Sequence, residues 1–232
     1  MASSSAIITD IFSKSFDFML KLLKDVGNLL ILIVLNIIPI VNFIVLGYFS
    51  QVVRHDHDDP PRISDFGMLF VEGLKLVIAV LIYAIVPLLV IFLGAGLALL
   101  AAFTYPYRYV VGPAVILSLA IGLLLLLVFL FIGMPALALF MRTGDFGKIF
   151  AFGEAWELIT RLGLLNYIIF YIALVVFNFI VGFVGSLIPW VGTLILGVFS
   201  MAFTFKALSI FVNLKYQVPP PPPPPPPLPS FG

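Results

Sequence analysis

The sequence predicts an all-α fold, a polytopic transmembrane bundle of about six membrane-embedded helices. Three observations carry that prediction. First, 62% of the residues are hydrophobic and 10% are charged, against about 45–50% and roughly 25% in ordinary soluble domains. With a mean hydropathy of +1.23, lipid is the natural solvent for this chain. Second, residues 26–53, 76–107, 109–141 and 162–205 carry no charge. Each run exceeds the ~20 apolar residues that a helix needs to cross a ~30 Å hydrocarbon core. Third, a proline-centred segment recurs late in the chain.

Buried backbone polar groups restrict spanning segments to helices and closed barrels. Residues 116–132 lack the two-residue alternation of a barrel strand, so the class is helical. The absence of cysteine excludes disulfides, thiolate zinc sites and cysteine nucleophiles. A net charge of +1 implies no bulk attraction to nucleic acid.

In chain order, the first element is amphipathic. Asp10, Lys14, Asp17, Lys21, Lys24 and Asn28 recur every three or four residues and share one helical face. They predict a helix in the interface with its lysines toward anionic lipid, or, if the stripe turns inward, one lining a wet cavity. The interfacial reading is favoured. The first apolar run is too long for a signal-peptide core and no cleavage site follows, so an uncleaved chain is expected.

Next comes the recurrent segment. Ile38-Pro39-Ile40-Val41 with Leu46-Gly47-Tyr48-Phe49-Ser50 returns as Ile188-Pro189-Trp190-Val191 with Leu196-Gly197-Val198-Phe199-Ser200. Such internal repeats are common in membrane architectures. Proline breaks a helix and biases its predecessor away from the α conformation. Pro39 and Pro189 are therefore expected as turns, giving hairpins over residues 18–54 and 164–206. Asn36 and Asn42 bracket the first turn and can satisfy the carbonyls freed there.

Between the hairpins, residues 76–103 and 110–141 are expected to cross out and back. Gly94, Ala98 and Ala102 have the small-xxx-small spacing of a helix-packing seam, inside the bundle or between protomers of a homo-oligomer. A second matching pair, Asp65-Phe66-Gly67 and Asp145-Phe146-Gly147, places Asp65 and Asp145 as N-caps of short interfacial helices. No phosphate loop or strand lysine accompanies these triplets, so they are not read as kinase metal ligands.

With a hairpin at Pro39, all of the 12 lysines and arginines except Arg108 fall on one side. The positive-inside rule places that side, and both termini, in the cytoplasm of a cell carrying this chain as a multi-pass membrane protein. Lys206 aligns with Asp56 in the repeat and is expected at the inner interface.

Arg54-His55-Asp56-His57-Asp58-Asp59 is the densest polar cluster. Two imidazoles and three carboxylates suit a divalent cation, but adjacent loop residues seldom converge, and a solvated hinge is the preferred reading. No catalytic, cofactor-binding or metal-binding set is expected. Residues 1–215 form the transmembrane domain and residues 216–232 a proline-rich tail. Its nine consecutive prolines, 219–227, predict a polyproline II rod of ~28 Å, either a spacer or a ligand for aromatic-lined grooves.

The chain resembles the archaeal and bacterial membrane-protein family known as domain of unknown function 4013. The resemblance rests on Leu46-Gly47-Tyr48, a charged Pro-containing loop, then Asp65, Phe70 and Gly73-Leu74-Lys75 opening a span with Tyr83 and Pro87, and on residues 152–159. It covers roughly residues 10–215 and implies a prokaryotic membrane protein, with no activity to carry over. The function expected from the residues is a non-enzymatic structural or accessory component of a membrane assembly. Its partners would be the lipid bilayer and a protein docked through the tail or the inner-surface helices. The alternative is a small-solute transporter or permeation pathway, suggested by the Pro-turned hairpins.

Overall fold

The structure, a computed structural model, describes residues 4–104, 108–188 and 191–216. Among these there are eight α-helices, one short 3₁₀ helix and no strand. They run α1 (Ser4–Lys24), α2 (Val26–Ile37), α3 (Asn42–His55), α4 (Phe66–Thr104), α5 (Arg108–Thr143), the 3₁₀ helix Phe146–Phe150, α6 (Phe152–Leu162), α7 (Leu164–Ser186) and α8 (Gly192–Asn213).

The amphipathic stripe does not run on into the first apolar helix. Asp25 interrupts it, with its side chain accepting from the Asn28 N–H at 3.3 Å to cap α2. Asn28, the last residue of the stripe, is thereby moved onto α2 and buried. Helix α2 stops at Ile38, which is extended (φ −93°, ψ 115°), the conformation imposed on a residue preceding proline. The chain turns over residues 38–41, and the Asn42 N–H donates to the Ile38 carbonyl at 2.8 Å. The antiparallel return brings Tyr48 of α3 to Asn28 at 3.2 Å.

Four helices, α4, α5, α7 and α8, are long and apolar enough to cross a membrane. Helices α2 and α3, of 12 and 14 residues, reach only about 18 and 21 Å at ~1.5 Å per residue, short of a ~30 Å core. Helices α4 and α5, of 39 and 36 residues, run to about 58 and 54 Å on the same measure. Asp65 opens α4, its carboxylate accepting from the Met68 N–H at 3.0 Å. The short surface helix expected after Asp65 is continuous with the span, because no proline lies between Phe66 and Pro87. Gly163, at φ +90°, separates α6 from α7 by a conformation that β-carbon-bearing residues avoid.

Helix α8 is the axis of the bundle. Of its most apolar stretch 50% is buried, against 22%, 11% and 17% in α4, α5 and α7. It lies parallel to α3, with Phe49 and Phe205 rings 5.6 Å apart, and antiparallel to α7, with Phe177 stacked on Phe203 at 3.9 Å. Helix α1 closes over it, with Phe12 stacked on Phe203. Helices α3 and α4 cross at backbone contact. A β-carbon on Gly47 would overlap the Leu69 carbonyl, and one on Gly73 would overlap the Phe43 carbonyl.

Candidate functional site

The charged side chains gather at one end of the bundle, where α3, α5 and α8 finish and α2 and α4 begin. Arg54 donates to Glu72 at 2.6 Å and to the Met141 carbonyl at 3.2 Å. Arg142 donates to the Arg54 carbonyl at 2.8 Å. Lys75 also bonds Glu72, and Glu154 accepts from both Lys148 and Lys215. These contacts tie helix ends together across the sequence. The two ammonium groups beside Glu154 hold its carboxyl below the ordinary glutamate range.

The loop after α3 keeps Asp58 and Asp59 in solvent, with 85% and 80% of their side chains exposed, as expected of a hinge, and is also a strap tied to α8. Asp56 turns the chain in the left-handed region (φ 51°), a conformation aspartate tolerates. Lys206 of α8, 2% exposed, receives the strap. Its ammonium donates to Asp56 at 3.2 Å, Asp58 at 3.1 Å and the His57 carbonyl at 2.8 Å. Asp56 also accepts from Ser209 at 2.7 Å and from Asn213. A buried ammonium is tolerated only when carboxylates and carbonyls compensate its lost water, and the acidic loop supplies them. Lys206 holds the Asp58 carboxyl below the ordinary aspartate range.

Helix α1 lies along the other side of the strap. Lys21 pairs with Asp59 at 2.6 Å and donates to the Asp58 carbonyl at 3.1 Å. Lys14 pairs with Asp10 at 2.7 Å. Between α1, the strap and α8 is a basin of about 420 Å³, lined by Lys14, Asp17, Leu20, Lys21, Lys24, Asp58 and Lys206. Lys24 has no ion-pair partner among the described residues.

A second, apolar crevice of about 730 Å³ opens between the α4–α5 hairpin and α7–α8. Its walls include Val80, Ala84, Leu130, Phe129 and Tyr171, with Asn178 and Thr204 as polar members. Asn178 is satisfied by Thr204 at 3.0 Å, by Ser200 and by the Leu174 carbonyl at 2.8 Å.

The residues expected to shape the fold are placed as follows. Asn42 donates to Asn36, which itself donates to the Leu194 carbonyl at 2.9 Å. The side chains of these asparagines join the first turn to the start of α8, while the Asn42 backbone N–H serves the Ile38 carbonyl of the turn. Pro39 lies in the described turn, whereas Pro189, the tail and the side chain of Ala102 lie outside the described residues. Asp145 caps the 3₁₀ helix through the Gly147 N–H at 2.9 Å. Gly94 sits against Ser118 of α5, where a β-carbon would overlap the serine side chain, and Ala98 is buried one turn on. The strap, the Arg54–Glu72 pair and the Gly47/Gly73 crossing carry no sequence expectation. Only the offset that aligned Lys206 with Asp56, and the glycines within the family pattern, hinted at them.

Four apolar helices of crossing length and a charged end define a multi-pass helical membrane protein. A family described as protein of unknown function (DUF4013) matches residues 31–190, more than half of the chain, and the chain belongs to that family. The match begins within α2 and ends before α8, short of residues 10–215 at both ends. No curated protein and no solved structure matches the chain.

Proposed function

We propose that this chain is a non-enzymatic component of the cell membrane that accompanies a larger membrane assembly. The observation that carries the reading is the α4–α5 hairpin. Among the described residues between 88 and 127, those buried are Ala98, Ser118 and Gly122, so the described part of the distal half packs on little besides its own seam. Its charge-free stretches, residues 76–104 of α4 and 109–141 of α5, run about 43 and 50 Å at ~1.5 Å per residue, longer than a ~30 Å core. Such a hairpin accommodates by tilting or by associating with other helices. The apolar crevice between it and α7–α8 offers a partner's transmembrane helix a place to insert large side chains.

The test is extraction in mild detergent, with the chain intact, truncated after Gln217, and carrying Ala84→Trp in the crevice wall. A stoichiometric partner retained on truncation and lost from Ala84→Trp supports docking through the crevice. A partner lost only on truncation moves the contact to the tail. A lone protein in all three forms refutes the reading. Asn178 and Thr204 in the crevice wall favour a second reading, a permeation pathway for small amphipathic solutes, tested by flux into liposomes.

A further inference from the structure

We propose that the basin between α1, the strap and α8 binds the phosphate-bearing headgroup of an anionic phospholipid. The inference goes beyond the assembly reading and stands independently of it.

Four lysines line the basin with Asp17 and Asp58, and three of them are paired: Lys14 with Asp10, Lys21 with Asp59, and Lys206 with Asp56 and Asp58. Lys24 has no ion-pair partner among the described residues. An ammonium without a partner gains most from an incoming anion. Charge-assisted bonds from lysine to phosphate oxygens are about twice as strong as neutral ones. The volume, about 420 Å³, lies within the range of ~300–1,000 Å³ typical of small-ligand sites.

Apolar surface beside the basin selects a lipid over a free anion. Leu20 is part of the lining. Phe16, Leu20 and Leu23 of α1 and Val26 and Leu30 of α2 are all exposed. Helix α2 starts beside the basin and leads from the charged end toward the Pro39 turn. A headgroup held by Lys24 and Lys14 would leave its acyl chains along these side chains, at roughly 25 cal/mol per Å² of apolar surface covered. Inorganic phosphate gains nothing from that surface. The strap completes the site, because Asp56 and Asp58 fix the Lys206 ammonium that forms the floor.

The experiment uses the full chain purified in a non-ionic detergent, with lipid binding read by native mass spectrometry and by thermal shift. The probes are short-chain phosphatidylglycerol, short-chain phosphatidylcholine and inorganic phosphate. Phosphatidylglycerol is expected to bind and stabilise, with the other two inert at the same concentration. Lys24→Gln should weaken phosphatidylglycerol about fivefold, from ~1 kcal/mol per lysine near an anionic surface, and Lys14→Gln with Lys24→Gln by about 25-fold. Arg161→Gln removes one exposed positive charge from α6, and should leave the affinity unchanged. An equal loss in Arg161→Gln would mean diffuse attraction with no site, and would overturn the proposal. So would equal binding of phosphatidylcholine. Competition by inorganic phosphate at matched concentration would make the basin a soluble-anion site and overturn the lipid assignment. Lys24 is exposed, so its replacement leaves the fold intact, and Lys24→Glu should abolish binding in a protein that still unfolds cooperatively.

Discussion

The ammonium of Lys206 and the carboxylate of Asp56 meet across 150 positions of sequence, and the two partners are not equivalent. Asp56 also serves Ser209 and Asn213. Asp56→Ala therefore leaves Ser209 and Asn213 without that carboxylate and removes one of the three partners of the buried Lys206 ammonium, which keeps Asp58 and the His57 carbonyl. It should destabilise by about 1–3 kcal/mol, the scale of leaving buried donors without their acceptor. Lys206→Met should cost less, because Asp56 keeps two donors and Asp58, with 85% of its side chain exposed, returns to water. Thermal unfolding in detergent reads both, and the reverse order would contradict the strap. Glu154 adds a dependence on pH. Its carboxyl is held below the ordinary value of 4.5 by Lys148 and Lys215, so its contribution is full above that value and is lost as pH falls through the lowered one. The stability gap between the native chain and Glu154→Gln should be constant near neutrality and close on acidification below 4.5. At this scale the sequence was only partly legible. Asp65 and Asp145 read as caps because a cap is a local device. Asp56 read as a hinge residue because its partners come from a helix 150 residues away.

The elements were more legible where a single physical cause acts alone. Absence of charge over 20 or more residues foretells α4, α5, α7 and α8, but residues 26–53, equally free of charge, fold as α2 and α3, each too short to cross, because the turn at Pro39 divides them. The boundary at Asp25 was hidden because the polar spacing continues through Asn28. Periodicity alone cannot reveal that the chain changes direction inside a continuous pattern. The Gly47/Gly73 crossing was hidden for the opposite reason, since glycine in an apolar helix has several uses and the contact depends on α3 meeting α4. That crossing yields a sharp comparison. Gly47→Ala and Gly73→Ala each press a methyl group into a carbonyl of the facing helix and should cost about 1–3 kcal/mol by overpacking. Gly96, with nothing within 4 Å of a built β-carbon, should accept alanine with a gain of up to about 1 kcal/mol from helix propensity. Equal effects at all three positions, measured by thermal unfolding, would remove the close crossing.

At the scale of the molecule, the ion pairs among the described residues collect at one end. If the positive-inside rule applies, the charged end faces the cytoplasm. The chain contains no cysteine, so a single introduced thiol can be followed without background. Ser64→Cys, in the exposed loop before α4, should react with an impermeant maleimide only after the inner face is opened, and labelling of intact cells would invert the topology.

The unequal helix lengths have a consequence for the membrane itself. At the charged end all eight helices contribute to the cross-section. Helices α2 and α3 stop short of crossing, and α4, α5, α7 and α8 continue into the far leaflet. The molecule is thus a wedge that takes up more area in one leaflet than in the other. A flat bilayer must stretch one monolayer to hold it, whereas a curved one has that area difference already. The protein should concentrate in small vesicles over large ones when its charged end lies on the convex side. Sorting between vesicle diameters at fixed lipid composition measures this directly, and an even distribution would mean that neighbouring helices fill the taper.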